Sequence, residues 1–269
     1  MSSPTLGLIA GNGQFPILFA RRAKTQNYRV IAAAIRGDTF WGLKFFVDDL
    51  VWISPGELRR MFEFFKTRDV RQIIMAGQVH PKNLFDEKIH LDQEFQKLFA
   101  AMQDRKADTI FGAVAEKLAA EGMELIDSTF LLKDYLAPKG TLTHRVPTLN
   151  ELADIEFGFQ IAKSMGGLDV GQTVVVKDKA IVAVEAMEGT DETIARGGRI
   201  AKQGAVVIKT AKPQQDYRFD IPVIGTKTIT TMRKANASCL AIEAGKTLIL
   251  DRETSVRLAN KAGICIVAA

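Results

Sequence analysis

The chain has 269 residues, of which 47% are hydrophobic, and carries 36 basic against 31 acidic side chains, a net charge of +5. This composition excludes a disordered or fibrous protein and suffices for two domains of similar size. Two cysteines and three histidines without metal-ligand spacing exclude a structural zinc site, and the lack of a long block of like charge argues against a nucleic-acid partner.

The mild basic excess favours an anionic small ligand or an anionic membrane surface, although a solubility bias with no partner explains it equally well. Apolar runs end within about ten residues, whereas a spanning helix needs about 20. The N-terminus also lacks the positive region of a signal peptide. We therefore expect a cytoplasmic protein that contacts a membrane, if at all, peripherally through its surface; the sequence is compatible with a homo-oligomer.

Short apolar runs alternate with amphipathic stretches in the first half of the chain. The pattern predicts strands at 6–10, 30–35, 51–53 and 73–77, with helices ending near residues 24, 66, 102 and 121. Alternating strands and helices indicate a parallel sheet with right-handed crossovers, that is, a Rossmann-like domain. A Pro and Gly cluster follows, so we place the N-terminal domain at 1–137 and the C-terminal α/β domain at 138–269.

The second half predicts a less regular, mixed α/β layer. A long helix at about 150–165 precedes a hairpin at 173–185, which turns at a Lys-Asp-Lys sequence. A second hairpin is predicted around 243–246. Further helices are expected up to Arg199 and at about 226–235 and 254–261, with a last strand at 264–267.

Glycine-containing corners follow the first and fourth predicted strands. There glycine permits close backbone approach and a helix N-terminus favours an anion. The first corner is not a dinucleotide fingerprint, because Pro16 replaces the third glycine and no Walker lysine is present. Both corners belong at the carboxyl edge of the sheet, so we predict one ligand crevice, although tight turns use glycine without any ligand. The predicted substrate-binding residues are Gly11, Asn12, Gly13, Gln14, Gly77 and Gln78.

A third corner, in the second half, combines backbone amides, a hydroxyl and carboxylates. We predict that Glu188, Gly189, Thr190 and Asp191 bind substrate. The alternative is that Thr190 or Asp191 only caps the following helix, whose positive end favours acidic residues. The two roles can coexist.

The segment after the strand at 206–209 concentrates charge. Lys209 and Lys212 come first, and Asp216 and Asp220 follow, four residues apart. Lysines neutralise phosphate oxygens, while carboxylates hold a divalent metal or handle a proton, the requirements of phosphoryl chemistry. In the alternative, the aspartates only form surface pairs with arginines such as Arg218, which contribute about 0 to 1 kcal/mol. Apolar residues flank Asp220 on both sides, which favours a functional carboxylate at the edge of a core.

These motifs together resemble one family. The segments 9–16, 75–79, 188–191 and 211–225 are similar, in order, to those of the UDP-2,3-diacylglucosamine pyrophosphatases of the LpxI type, and the Lys-Pro-x-Gln-Asp-x-Arg-Phe-Asp-x-Pro block is specific. The family often has Gly-Gly-Gly-x-Leu-Pro at the opening corner. Asn12 and Phe15 depart from that pattern, but because asparagine tolerates positive φ we expect the turn to survive.

The resemblance implies a hydrolase of lipid A biosynthesis that requires Mg²⁺. Such enzymes cleave UDP-2,3-diacylglucosamine to UMP and 2,3-diacylglucosamine 1-phosphate, and an essential aspartate of the family corresponds to Asp220. Our hypothesis is that Asp220 is the catalytic carboxylate and binds Mg²⁺ or orients the attacking water, while Lys209 and Lys212 neutralise developing charge. Gln215 and Asp216 are predicted to assist substrate binding.

Two other classes fit parts of the sequence. A non-catalytic regulatory protein that binds a sugar nucleotide would use the same corners without needing Asp220. A nicotinamide-dependent oxidoreductase would explain the first strand, turn and helix, but it needs the missing third glycine and an acidic residue ending the second strand, where Asp38 fits only loosely.

Overall fold

The computed structural model describes residues 3–79, 90–104 and 106–269. Within it the chain forms two compact units, each with its own sheet. The first unit runs to Lys133 and also includes Asp216–Asp220, whereas the second comprises Asp134–Gln215 and Ile221–Ala269. A short segment from the second half of the sequence is therefore part of the first unit.

The first unit has a five-stranded sheet in the order β3-β2-β1-β4-β5, with every neighbouring pair parallel. This strand order is that of a Rossmann fold, and it confirms the predicted fold class. A 3₁₀ helix, Trp41–Phe45, follows the second strand. The elements are β1 Thr5–Ala10, α1 Phe15–Thr25, β2 Arg29–Ile35, β3 Asp49–Ile53, α2 Leu58–Lys66, β4 Gln72–Ala76, α3 Gln93–Ala101, α4 Ala107–Ala120 and β5 Glu124–Leu125.

Burial explains why these segments form a sheet covered by helices. The central strands β1, β2 and β4 are buried almost throughout, as expected of parallel strands covered on both faces. On α2 the apolar positions recur at helical spacing, and Met61, Phe62 and Phe65 are all buried in the core of this unit. Each such side chain contributes about 1.5 to 3 kcal/mol relative to full exposure.

The second unit has a six-stranded mixed sheet in the order β6-β13-β11-β9-β7-β8, and a separate parallel pair formed by β10 and β12. In the larger sheet, β9, β11 and β13 are parallel neighbours, and β7 is antiparallel to both β8 and β9. The elements are β6 Gly140–Thr141, α5 Leu149–Gly167, β7 Thr173–Lys177, β8 Ala180–Val184, α6 Thr190–Ala201, β9 Val206–Lys209, β10 Val223–Ile224, α7 Thr226–Lys234, β11 Cys239–Ile242, β12 Leu248–Ile249, α8 Arg252–Lys261 and β13 Cys265–Ala268.

One of the two predicted hairpins is wrong. The first is present, since β7 and β8 pair across a turn in which Asp178 and Lys179 both have positive φ. The second, around 243–246, does not form, because β11 pairs with β9 and β13 while β12 pairs with β10 in the small sheet. The two runs lie in different sheets, so the turn between them is not a hairpin turn.

Two further observations concern the cysteines and the possibility of a membrane-spanning helix. Cys239 and Cys265 are buried at paired positions of β11 and β13, as expected for small apolar side chains. In the part of the chain that the structure describes, no helix is long and apolar enough to cross a membrane.

Candidate active site

The first corner comprises Gly11–Gln14 and Gly77–Gln78, at the carboxyl ends of the adjacent strands β1 and β4. The amide of Asn12 donates to the carbonyl of Gln78 at 2.7 Å, and the amide of Gln78 donates back at 3.2 Å. The Gly11 amide donates to the carbonyl of Ala76, which extends the ladder. The structure therefore brings together all the residues predicted at this edge.

The glycines of the first corner serve two purposes. A Cβ on Gly11 would lie 2.6 Å from the Gln78 carbonyl oxygen, and one on Gly77 would lie 2.4 Å from that of Asn12, so the close approach of the two turns requires glycine. Gly13 differs, because its φ is +93° but a Cβ there would meet nothing within 4 Å. The expectation for Asn12 changes accordingly: its φ is not positive, and Gly13 is the left-handed residue of the turn.

Helix α1 begins directly after this open turn. Gln14 is its N-cap, no side chain caps it, and its first turn contains no acidic residue. The start of α1, which carries the positive end of the helix dipole, thus follows an open turn and has no side-chain cap, an arrangement that suits an anionic group.

The second corner comprises Glu188–Asp191 at the start of α6. The predicted cap is wrong, because the N-cap is Gly189, which has no side chain, and the helix begins with Thr190. Gly189 has φ +83° and, like Gly13, open space where a Cβ would be. Backbone amides at this helix start are therefore also without a side-chain cap.

The carboxylates of the second corner have partners within the unit. Glu188 accepts hydrogen bonds from Arg196 at 2.6 Å and from Thr193 at 3.2 Å. Burial raises the pKa of Glu188, but the hydrogen bonds from Arg196, Thr193 and nearby backbone amides together outweigh it, and the net pKa lies below its usual range. Asp191 pairs with Lys227 at 2.8 Å. Both carboxylates thus support the corner in its present shape.

Lys209 joins the second corner from β9, an interior strand of the sheet. Its side chain is buried, with Lys209 only 9% exposed, and its Nζ donates to the hydroxyl of Thr190 at 2.7 Å. The same hydroxyl donates to Glu185 at 2.9 Å, so a chain of hydrogen bonds runs from Lys209 through Thr190 to Glu185. A buried ammonium group beside an uncapped helix start can neutralise a phosphate.

One residue of this hydrogen-bond chain, and the residue that follows Lys209, each carry a buried polar atom without a partner among the described residues. The Glu185 Oε2 and the Thr210 hydroxyl are buried and have no hydrogen-bond partner among the described residues. Such atoms are uncommon in native structures, and a bound water, ion or ligand group is one way of satisfying them. Sequence reasoning missed Glu185, and the only signal was a carboxylate directly after an apolar strand.

Lys212 is engaged elsewhere in the second unit. Its Nζ lies 2.6 Å from Asp169, and its side chain is only 12% exposed. The amide of Lys212 donates to the side chain of Gln215, and the amide of Gln215 donates back to the carbonyl of Lys212 at 3.2 Å. Asp169, which follows the glycine pair at the end of α5, was also missed. The ion pair fixes the start of the charged loop.

The segment Asp216–Asp220 belongs to the first unit. Phe219 packs against the core of that unit, with its ring 5.7 Å from that of Phe111. Ser128 donates its hydroxyl to the carbonyl of Arg218 at 2.9 Å and its amide to that of Tyr217 at 2.8 Å. These contacts explain why this stretch is held by the first unit rather than by its sequence neighbours.

The two aspartates of this segment differ. Asp216 pairs with Arg218 at 2.6 Å, and that hydrogen bond lowers the pKa of its carboxyl. Its carbonyl accepts the amide of Asp220 at 3.0 Å, so Asp216 shapes the turn that ends at Asp220. Asp220 itself is partly buried. The arrangement assigns a structural role to Asp216, while the catalytic role of Asp220 stays a prediction.

Among the residues that the structure describes, a metal ion would find few protein ligands. The described ranges 3–79, 90–104 and 106–269 contain no group of three or more His, Cys, Asp or Glu side chains able to hold one. Mg²⁺ is commonly bound by one or two carboxylates, with water and substrate phosphates completing the octahedron. A single carboxylate such as Asp220 is compatible with that mode and not with an all-protein cage.

Comparison with known families gives a match in each half of the chain. Residues 5–135 match the LpxI N-terminal domain, and residues 138–267 match the LpxI C-terminal domain. A relative from Caulobacter vibrioides, UDP-2,3-diacylglucosamine pyrophosphatase LpxI, is 28% identical over 97% of this chain and 96% of its own length.

Solved structures give weaker likenesses. An N5-carboxyaminoimidazole ribonucleotide synthetase in its ADP complex is 14% identical and covers 65% of this chain and 32% of its own, with a TM-score of 0.28. The corresponding synthetase from Thermotoga maritima is 15% identical, covering 69% and 42%, with a TM-score of 0.24. At these scores the likeness supports no argument about function.

Proposed function

Because the chain belongs to the LpxI family, we propose that it hydrolyses the pyrophosphate of UDP-2,3-diacylglucosamine to UMP and 2,3-diacylglucosamine 1-phosphate in lipid A biosynthesis. One observation carries the proposal: the collinear match with a pyrophosphatase over 97% of this chain and 96% of that relative. The match spans both candidate corners and the Asp216–Asp220 segment.

Each corner, taken by itself, suits an anionic group such as those of this substrate. At the first corner, the open turn at Gly13 leads into an uncapped helix start. At the second, the open turn at Gly189 does the same, and the buried Nζ of Lys209 adds positive charge. Fixed donors of this kind stabilise charge that develops on phosphoryl oxygens in the transition state.

Asp220 is proposed to act on the attacking water, either directly or as a ligand of Mg²⁺. When bound, magnesium would polarise the phosphoryl group and favour ionisation of a water molecule. The chain holds Asp220 at the end of a turn, in which the Asp220 amide donates a hydrogen bond to the carbonyl of Asp216. Lys212 is proposed to assist through its charge, with its position set by Asp169.

The test is magnesium-dependent release of UMP from UDP-2,3-diacylglucosamine by the purified protein. Asp220→Ala should reduce kcat by about 10³-fold or more, because the group that acts on water is lost. Substrate binding, measured by calorimetry in the presence of a chelator, should persist in this variant. Asp104→Ala removes an exposed carboxylate of the first unit and should leave kcat unchanged.

One outcome would refute the proposed activity, and another would refute only the role of Asp220. If the purified protein binds the sugar nucleotide but releases no UMP with any divalent cation, it is a binding protein. If it releases UMP and Asp220→Ala does so at a near-normal rate, the activity stands and Asp220 leaves the mechanism.

A further inference from the structure

Three large aromatic side chains of the first unit are exposed after β2. Phe40 is 49% exposed, Trp41 60% and Phe45 66%. Their rings pack on one another, with centroids 5.7 Å apart for Phe40 and Trp41 and 5.8 Å apart for Trp41 and Phe45. We name these three residues, together with Lys44, the aromatic patch. Contiguous exposed apolar surface of this kind marks an interaction site.

The short 3₁₀ helix Trp41–Phe45 holds the aromatic patch outward. Because such a helix has three residues per turn, Trp41 and Lys44 lie above one another on its outer side. Leu43 is fully buried and anchors the inner side. The ring of Phe40 folds over Gly42, where a Cβ would lie 2.3 Å from a ring carbon. The exposure is therefore built into the fold rather than left by a loose loop.

The charged group that lies over these rings is positive. The Lys44 Nζ lies 5.2 Å from the centre of the Trp41 ring and 5.1 Å from that of Phe45. From residue 36 to 46 the basic residues are Arg36 and Lys44, both exposed, and the only acidic one is Asp38, which is buried. Trp and Phe together with Lys and Arg are the residues that favour the headgroup region of an anionic bilayer.

The aromatic patch is tied to the edge that carries the first corner. The Thr39 hydroxyl donates to the carbonyl of Ala10, the last residue of β1, and accepts the amide of Ile35 at the end of β2. Gly11 follows Ala10 directly. The residue that leads into the patch is thus hydrogen-bonded to the residue that leads into the first corner.

We propose that the aromatic patch docks the first unit onto an anionic phospholipid surface, with the rings in the headgroup region and Lys44 against lipid phosphates. The choice of a bilayer as partner rests in part on the proposed function, because a substrate with two acyl chains resides in a membrane. The exposed basic residues Arg36 and Lys44 supply the second argument, since two copies of the chain would bring like charges together at this patch.

The first experiment is co-sedimentation with vesicles of phosphatidylethanolamine and phosphatidylglycerol in equal parts, against phosphatidylcholine alone. The wild-type chain should bind the anionic vesicles more strongly and lose binding as salt rises. Trp41→Ala and Phe45→Ala should each weaken binding by about tenfold, because interfacial binding scales with buried apolar area. Leu149→Ala removes a leucine that is 85% exposed in the second unit and should change nothing.

The second experiment reads the position of one ring. The chain has two tryptophans, so Trp52→Phe leaves Trp41 as the only one, and excitation that tyrosine does not absorb reports on it alone. Its fluorescence should shift to the blue on anionic vesicles and be quenched by lipids brominated near the headgroup. Unshifted emission on vesicles that the chain does bind would overturn the proposal, because contact would then lie elsewhere.

Two comparisons separate this proposal from its rivals. If wild-type chain ignores vesicles and sedimentation velocity shows a dimer that Trp41→Ala dissociates, the patch is a self-association surface and the proposal fails. With substrate dispersed in detergent, Trp41→Ala should hydrolyse at the wild-type rate, and with substrate in vesicles about tenfold more slowly. Absence of hydrolysis by any variant would refute the proposed function while leaving the binding results to decide the docking.

Discussion

At the first corner the backbone itself sets the shape of the candidate site, whereas at the second corner the side chains do. Gly11 and Gly77 allow two turns to approach closely enough for reciprocal hydrogen bonds between main-chain groups. At the second corner, Lys209 reaches Thr190 and, through it, Glu185. The first arrangement depends on the absence of a Cβ and the second on charge.

This difference determines which substitutions should disturb each corner. A backbone arrangement has no side chain whose removal would abolish it, so it is disturbed only by adding atoms. A network of charged and hydroxyl groups is disturbed by removing one member, which leaves the others buried and unpaired. Phosphate binding is the task proposed for both corners. It should be sensitive to added atoms at the first corner and to removed side-chain groups at the second.

Of the substitutions at the two corners, Lys209→Met at the second is expected to have the largest effect on kcat. Methionine has a similar length and suits a buried position, so the fold should be retained. If Lys209 neutralises charge in the transition state, kcat for UMP release should fall by about 10² to 10³-fold. Lys227→Met is the matched control, because Lys227 also pairs with a residue of this corner but its side chain is 86% exposed. An unaltered kcat in Lys209→Met would remove the lysine from the chemistry.

At the first corner, Gly77→Ala should damage the fold. The added Cβ would lie 2.4 Å from the carbonyl oxygen of Asn12, on a residue with φ +87°. Overpacking and left-handed strain together predict a loss of about 2 to 5 kcal/mol in the free energy of unfolding, measured with urea. Gly13→Ala shares the positive φ but meets open space, so it should cost only about 1 to 2 kcal/mol. Equal losses in the two variants would show that close approach is not what requires Gly77.

The sequence predicted the elements of the first unit well, because each is defined by local periodicity. The burial of β1 and of one face of α2 follows from apolar residues at the spacing of a strand or a helix. The false hairpin at 243–246 shows the limit. Two apolar runs separated by a turn look alike whether they pair with each other or with distant strands, and here the partners were β9, β13 and β10.

Sequence reasoning selected several residues of the candidate site, but not the contacts between them. Sequence reasoning selected Lys209 and Thr190 separately, but their contact depends on the order of strands in the sheet, which no local pattern specifies. The same holds for Asp169, whose pairing with Lys212 spans 43 positions. The inclusion of Asp216–Asp220 in the first unit had one local sign, an aromatic residue at position 219 within a charged loop.

The stability of the second unit also depends on charge outside the candidate site, at a buried ion pair. We therefore expect this unit to lose stability in acid. Glu151 is 7% exposed at the start of α5, where the guanidinium of Arg145 donates to both its oxygens, at 2.7 and 2.9 Å, and the Ser238 hydroxyl donates at 2.6 Å. Burial alone would raise the pKa of Glu151, but these hydrogen bonds, with that from the Thr148 amide, lower it to about 2.

Because the pKa of Glu151 in the folded chain lies below its ordinary value of 4.5, the stabilisation is complete above that pH and is lost as pH falls towards about 2. The shift corresponds to about 3 kcal/mol in the free energy of unfolding, measurable as a drop in the urea midpoint of the second unit. Glu151→Gln should lose a similar amount at neutral pH and much of the pH dependence in this window. Glu156→Gln, an exposed change on the same helix, should alter stability at neutral pH by no more than about 0.5 kcal/mol. If Glu151→Gln is as stable as the wild-type chain at neutral pH, the buried ion pair does not stabilise the second unit, and its contrast with the first is confined to the site.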